Sequence, residues 1–263
     1  MKRFVRKFRL PAEWLSTERE SKISDFYADL HLFFTCLLLA VLFVVTMVFG
    51  QSYISLIVQH PYIFGAILVL CLIYSYRKLN IRIAEIQNLN KGIVGEKIVA
   101  SQLELLKESG FRVFNDLQLG GFNIDFAVVG PGGVYAVEVK NHAHPPTAVL
   151  QYRNGVLKLG NQDKTPSIKQ VKSAAWTLHD LIFAGTRKNI FVNPVLCYTN
   201  TKVDLDYTHV KNKENVFVTN DTTINAFFSS LKHKLSAEDG QSISTFLDQY
   251  VAANELQTDR GKV

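Results

Sequence analysis

Cysteine is nearly absent from this sequence, with Cys36, Cys71 and Cys197 its only three in 263 residues. None has the paired spacing of a zinc site or a disulfide framework. That excludes a cysteine-stapled secreted scaffold and agrees with a reducing cytoplasm. No internal repeat and no low-complexity tract is present. The first apolar run starts some thirty residues in and a second follows it, which argues against a cleaved signal peptide.

What the chain does contain is unevenly spread: 48% of residues are hydrophobic and the formal charge is +6. Leu32 to Phe49, LFFTCLLLAVLFVVTMVF, is 18 residues without a charge. A second run, Tyr53 to Tyr74, is broken only by Gln59, His60 and Pro61. A helix rises about 1.5 Å per residue and crosses a bilayer with roughly 20 apolar residues, range about 17 to 25. Both runs qualify. Placed back to back, they predict two membrane spans rather than buried core helices.

Lys2, Arg3, Arg6, Lys7, Arg9, Arg19 and Lys22 precede the first run, and Arg77, Lys78 and Arg82 follow the second. The connection Gly50 to Ser52 has no lysine or arginine. The expectation is a multi-pass protein of the cell membrane with two spans and both termini cytoplasmic. The opening MKRFVRKFRL interleaves Phe and Val with five basic residues, which suits either an anionic lipid surface or a solvated tail.

The expected organisation is a basic N-terminal segment over 1–30, a two-helix transmembrane hairpin over 31–76 and a charged connector over 77–90. A soluble domain follows over 91–200, then a strand and helical extension over 201–263. In the soluble domain, Glu96, Val99, Leu103 and Leu106 share a helix face. The stretches FRVFNDLQL, FNIDFAVVG and GVYAVEVKN read as strands, and AVLQYRNGVLKLG as a hairpin with an Asn-Gly turn. A helix is expected from Pro166 to about Phe183, with short strands in NPVLCYTN and NVFVTN. Further helices are expected over about Thr222–Leu235 and Glu238–Asn254, with the last nine residues disordered. The fold class is α/β: a mixed sheet flanked by helices, preceded by the transmembrane hairpin.

The stretch NIDFAVVGPGGVYAVEVKN, residues 123 to 141, puts Asp125, Glu138 and Lys140 among apolar strand residues. Folding it about Gly130–Gly133 sets Asp125 opposite Glu138 and Ala127 opposite Ala136. Strand alternation makes one face apolar (Ile124, Phe126, Val128, Tyr135, Val137, Val139). The other face pairs small alanines with the polar group at one end. Directly opposed carboxylates repel, and a cation relieves them. A divalent ion with hard oxygen ligands answers the need, held by Asp125, Glu138 and the Val139 carbonyl, with Mg2+ or Mn2+ the expected metal. Lys140 would then be free to orient or deprotonate a water for attack on a phosphodiester. Spacing alone leaves open a structural cluster in which Lys140 neutralises one carboxylate.

These residues resemble the nuclease-related domain, NERD, which is similar to the PD-(D/E)xK superfamily with its restriction-endonuclease-like core. The resemblance covers about residues 91–200. It rests on G-x-x-G-E at Gly92–Glu96, the pair Ile124–Asp125, the G-P-G-G turn, E-V-K at Glu138–Lys140, and Gln170 after Pro166. It implies a metal-dependent phosphodiesterase core. Asp125 and Glu138 match the metal-binding acids, Lys140 the catalytic lysine, Glu96 the acid of the first helix and Gln170 the glutamine of the second. No proline precedes Asp125, unlike in many related families.

Lys158, Lys164, Lys169 and Lys172 follow the site in sequence, with Tyr152, Arg153 and Trp176 nearby. The mixture suits phosphate contact and base stacking, and equally a solvated lysine face. No base-reading motif is present. The function expected is that of a membrane-anchored, divalent-metal-dependent nuclease acting on nucleic acid, DNA before RNA, in the cytoplasm. The alternatives are a catalytically inactive nucleic-acid- or protein-binding module on the same fold, and a hydrolase for another phosphodiester. The expected partners are nucleic acid, the lipid bilayer and a second copy of the chain in a homodimer.

Overall fold

The computed structural model describes residues 9–49, 61–119, 122–142, 148–153, 155–205 and 216–260. The basic residues 2–7, the connection Gly50–Ser52, the start of the second apolar run and Asn154 of the expected turn lie outside these. The chain divides into two compact units, Leu15–Asn90 on the one hand and the remainder on the other.

In the first unit, helix α1 (Glu13–Phe49) and the part of helix α2 (Pro61–Glu104) up to Asn90 carry the two apolar runs. Both helices are long and apolar enough to cross a membrane. Only 6% and 11% of their most apolar windows is buried by protein, so these are not core helices sealed inside a globule. Beyond those windows the arms turn polar and pair. Lys78 Nζ lies 2.6 Å and Arg82 Nε 3.2 Å from Asp29. Lys22 lies 3.1 Å from Glu85, and Arg19 donates to Asn90 at 3.3 Å. The expected connector over 77–90 is therefore helix, continuous with the second apolar run.

In the second unit, α2 ends in a 3-10 turn, Leu105–Ser109, stopped by Gly110 at φ 80°. Strands β1 (Arg112–Leu119), β2 (Phe122–Gly130) and β3 (Gly133–Lys140) follow as an antiparallel meander. The β2–β3 register is the expected one: Ala127 faces Ala136, Phe126 faces Val137, and Gly130 faces Gly133 across the two-residue turn. Strands β4 (Val149–Arg153) and β5 (Val156–Leu159) form the expected hairpin, with a short β6 (Gln162–Asp163). Helix α3 (Thr165–Thr186) starts with Pro at its first turn and ends where Arg187, at φ 59°, returns its N–H to Phe183. Then come β7 (Val192–Tyr198), β8 (Lys202–Leu205), β9 (Phe217–Asn220), α4 (Ile224–Ser229) and α5 (Ala237–Arg260).

The main sheet has the order β1-β2-β3-β7-β9, antiparallel on one side and parallel on the other. A second, four-stranded sheet has the order β6-β5-β4-β8; its β8 strand was not expected. Helices cover both faces of the main sheet. Ala127 and Ala136 let α3 pack close through Ala174, Ala175, Leu178 and Ile182, and α5 adds Ile243, Leu247 and Val251. On the other face, Phe126, Val128, Tyr135, Val137 and Val139 meet Val99 and Leu103 of α2 and Phe228 of α4. Ile124, expected beside Phe126, joins the alanine-face cluster instead.

Two late elements differ from expectation. The helix expected over Thr222–Leu235 is only six residues long, because Lys234 and Leu235 turn aside to donate to the Pro131 carbonyl at 2.8 and 3.1 Å. Helix α5 continues to Arg260 rather than fraying after Asn254. The Tyr250 hydroxyl and the Asn254 amide tie it to the Gln118 carbonyl of β1.

Candidate active site

Asp125 is where the sheet opens. The β1–β2 ladder pairs Asn115 with Phe126 and Leu117 with Ile124, and skips the rung between them, at which Asp116 stands opposite Asp125. The β2–β3 ladder ends at Phe126–Val137, one residue short of the expected Asp125–Glu138 pair. Asp125 instead uses its side chain: Oδ2 accepts the backbone N–H of Val139 at 2.7 Å. On the β1 side the ladder is interrupted where Asp116 takes φ 52°, outside the β region, and on the β3 side the Glu138 charge presses on Asp125. The broken pairing also lets side-chain alternation reset there, which accounts for Ile124.

Glu138, buried, receives two donors on one oxygen. Lys140 Nζ reaches Oε1 at 2.7 Å, and Gln170 Nε2 of α3 reaches the same atom at 2.6 Å. Glu96, on the last turns of α2, is 4% exposed and accepts the backbone N–H of Ala12. Burial, then the charges of Asp116 and Glu138, push its carboxyl up to about 8, against the Ala12 N–H and Lys140. Asp125 is raised well above the carboxylate range by burial and by the charges of Glu138 and Glu96. The five residues Asp125, Glu138, Lys140, Glu96 and Gln170 thus meet in one electrostatic cluster.

Two parts of this cluster escaped the sequence reading. Asp116 is fully buried at φ 52°, an uncommon conformation for a residue with a side chain. Burial raises its carboxyl, opposed by the Trp14 N–H, Asn123 and Arg9. The other part is the chain from Arg9 to Trp14. Its Ala12 N–H meets Glu96, its Trp14 N–H meets Asp116 at 2.8 Å, and its Arg9 guanidinium lies 3.4 Å from Asp116. The one available signal was an aspartate in the middle of a strand, where that residue is depleted.

The donor set suits a hard divalent cation in kind and in charge. Glu96 Oε2 and Asp116 Oδ1 are buried without a partner, and each of the mutually repelling acids is oxygen-bearing. Among the described residues, no three His, Cys, Asp or Glu side chains stand ready to hold an ion in their present positions.

The lysines of the expected nucleic-acid face are more dispersed. Lys158 is on β5 opposite Gln151 and Asp163, Lys164 stands just before α3 without a side-chain capping bond, and Lys169 and Lys172 lie on α3. Lys169 is exposed and Lys172 half-buried.

Residues 91–199 match the family described as nuclease-related domain, a stretch that runs from the last turns of α2 through β7 and past it by one residue. No curated protein and no solved structure matches the chain.

Proposed function

We propose, from the premise that residues 91–199 form a nuclease-related domain, that the protein is a membrane-anchored nuclease hydrolysing phosphodiester bonds of nucleic acid, with DNA the first substrate to test. The observation that carries this is the meeting of Asp125, Glu138, Lys140, Glu96 and Gln170 at one end of the β1-β2-β3 meander.

Asp125, Glu138 and the Val139 carbonyl would hold Mg2+ or Mn2+, with Glu96 beside them. The ion, when bound, activates water and offsets charge on the phosphodiester. The chain's own groups do the rest. The Val139 N–H fixes the Asp125 carboxylate, and Gln170 fixes Glu138. Lys140, with its ammonium at Glu138, is placed to orient a water or to steady negative charge gathering on the phosphate oxygens. Lys158, Lys164, Lys169 and Lys172 would contact backbone phosphates, and cleavage would be largely independent of sequence.

The membrane anchor rests on the two apolar helices, and the cytoplasmic placement of both ends on the lysine and arginine distribution. A second reading has its own observation. Lys140 and Gln170 share Glu138 Oε1, as in a self-neutralised structural network of an inactive nucleic-acid- or protein-binding module. Plasmid nicking by the purified chain with magnesium, beside Lys140→Ala, separates the two. Loss of a general acid–base or electrostatic group costs about 10²- to 10⁴-fold in rate. Metal-dependent nicking lost to that extent supports the nuclease. Equal rates for both proteins, or none above background for the wild type, support the binding module.

A further inference from the structure

Helix α3 presents two different flanks. Gln170 on one flank reaches Glu138. Around the helix, Lys169, Lys172, Trp176, His179 and Phe183 follow at steps of three, four, three and four, so they form a single stripe. Trp176 is 65% exposed, an uncommon position for the largest apolar side chain. Its ring meets His179 edge-on with centroids 5.8 Å apart, and His179 lies nearly parallel to Phe183 at 6.4 Å. The imidazole is fixed by donating Nδ1–H to the Ile190 carbonyl at 2.8 Å, a bond that does not engage Nε2. The chain after α3 returns against this stripe and forms a half-open cavity of about 400 Å³, lined by Lys172, Trp176, His179, Asn189 and Phe191 among others. Phe191 is 57% exposed.

We propose that this cavity is a stacking site for an unpaired base of single-stranded nucleic acid, separate from the acid cluster. The inference rests on the nucleic-acid reading above, but not on cleavage. Trp176 and Phe191 offer aromatic faces, which any base can stack on. The Asn189 amide offers a donor and an acceptor to a base edge, and His179 Nε2 a further polar atom. Lys172, and Lys169 one turn earlier on the stripe, supply cations for the flanking phosphates. Among the described residues, those that line the cavity include no carboxylate. Its size is that of a small-molecule site, within about 300–1,000 Å³. A paired base in a duplex keeps its faces stacked on neighbours and would first have to leave the helix. The site therefore favours single strands, overhangs or frayed ends. Trp176 lies six residues, about 9 Å of helix rise, from Gln170, so one strand contacting both is within reach of the fold.

The test uses the full chain in detergent micelles, with EDTA present so that cleavage cannot intervene. In a Trp14→Phe background Trp176 is the only tryptophan. Its fluorescence is titrated with an oligothymidylate and with a blunt duplex of equal length. Saturable quenching by the single strand, with duplex binding about tenfold weaker or more, is expected. In parallel, anisotropy of the labelled single strand should show Trp176→Ala and Phe191→Ala each binding about tenfold more weakly. Both positions are exposed, so neither change endangers the fold. Absent quenching, equal response to the duplex, or unchanged affinity in both variants overturns the proposal. So does quenching that follows protein concentration without oligonucleotide, which would assign the cavity to a second copy of the chain. A protein that cuts nothing yet shows the single-strand quench defeats the nuclease reading and leaves this one standing; the reverse result defeats this one alone.

Discussion

The backbone N–H of Trp14 donates to Oδ2 of Asp116 at 2.8 Å, joining the start of the chain to β1 across 102 positions. The same aspartate takes the Arg9 guanidinium, and Asn115 beside it donates to the Arg9 carbonyl at 3.2 Å. Ala12, turned to φ 58° and 1% exposed, aims its N–H at Glu96. Residues 9–14 are thus one wall of the acid cluster, although a helix long enough to cross a membrane starts within them.

Asp116→Ala should therefore destabilise the domain by about 1–3 kcal/mol, because it strands a buried donor at Trp14 and leaves a strained φ to a residue that tolerates it poorly. Asp116→Asn keeps an acceptor and a side chain suited to that conformation, and should stay closer to the wild type. Thermal unfolding of both variants checks this. Equal melting of the two would mean that the N-terminal segment does not lean on Asp116.

Glu96 gives a pH dependence of definite sign. Its folded pKa, about 8, lies above the ordinary 4.5, so the native state holds this proton more tightly than the unfolded chain. The stabilisation is complete below about 4.5 and is lost as pH rises from there to about 8. Asp125 and Asp116, both raised, act in the same direction. Metal-free stability should fall with pH across that window, and Glu96→Gln should flatten the slope by up to about 1.4 kcal/mol per pH unit. Denaturant melts at several pH values without metal provide the measurement; a variant with the wild-type slope would remove Glu96 from the account.

Much of this was legible in the chain. The β2–β3 register followed from the Gly130–Gly133 turn and the facing alanines, and the α3 interface from the space those alanines leave. Glu138 and Lys140 were readable because charged groups stand out against an apolar strand pattern, whereas Gln170 came only from the resemblance, since other residues near it on the helix are polar as well. Pattern stops being informative where contact is long-range. Nothing local says that Ala12 meets Glu96 or that Trp14 meets Asp116. Nor does helical periodicity reveal that Lys234 and Leu235 donate to the Pro131 carbonyl rather than to another turn of helix. The interrupted rung at Asp125 was hidden for a related reason: register counting assumes an unbroken ladder, and Asp116 opposite it leaves the β region at φ 52°.

Helix α5 lies outside the nuclease-related match, yet it belongs to the core of its unit. At Gly185 on α3, a Cβ would stand 2.0 Å from the Phe246 ring of α5. Gly185→Val should cost about 1–3 kcal/mol by overpacking, more than any gain from replacing glycine in a helix. Phe246→Leu in the same chain should recover part of the loss. A double-mutant cycle of melting temperatures measures the coupling, and strict additivity would show that α5 does not depend on this contact.

The proposed topology makes its own prediction. A reporter fused after Val263 should report the cytoplasm, and so should one fused at the N-terminus, because both flanks of the apolar pair carry the lysines and arginines. A reporter inserted between Gly50 and Ser52 should give the opposite signal. An external C-terminal reporter overturns the orientation, and three identical cytoplasmic signals overturn the spans themselves.

Asp125→Asn separates a cation site from an ion-pair network. In the metal-free protein Asp125 is held against the charges of Glu138 and Glu96, so neutralising it removes repulsion. Asparagine can still accept the Val139 N–H, which bonds to Asp125 Oδ2 at 2.7 Å. The variant should therefore melt at or above the wild-type temperature without metal. Magnesium or manganese should raise the wild-type melting temperature through binding to the native state, and the rise should shrink or vanish in the variant. Nicking activity should fall in parallel, by about 10²-fold or more. The opposite pattern, a variant that melts early and a wild type indifferent to either ion, would mean that Asp125 balances Lys140 within the fold and that its carboxylate serves architecture rather than chemistry.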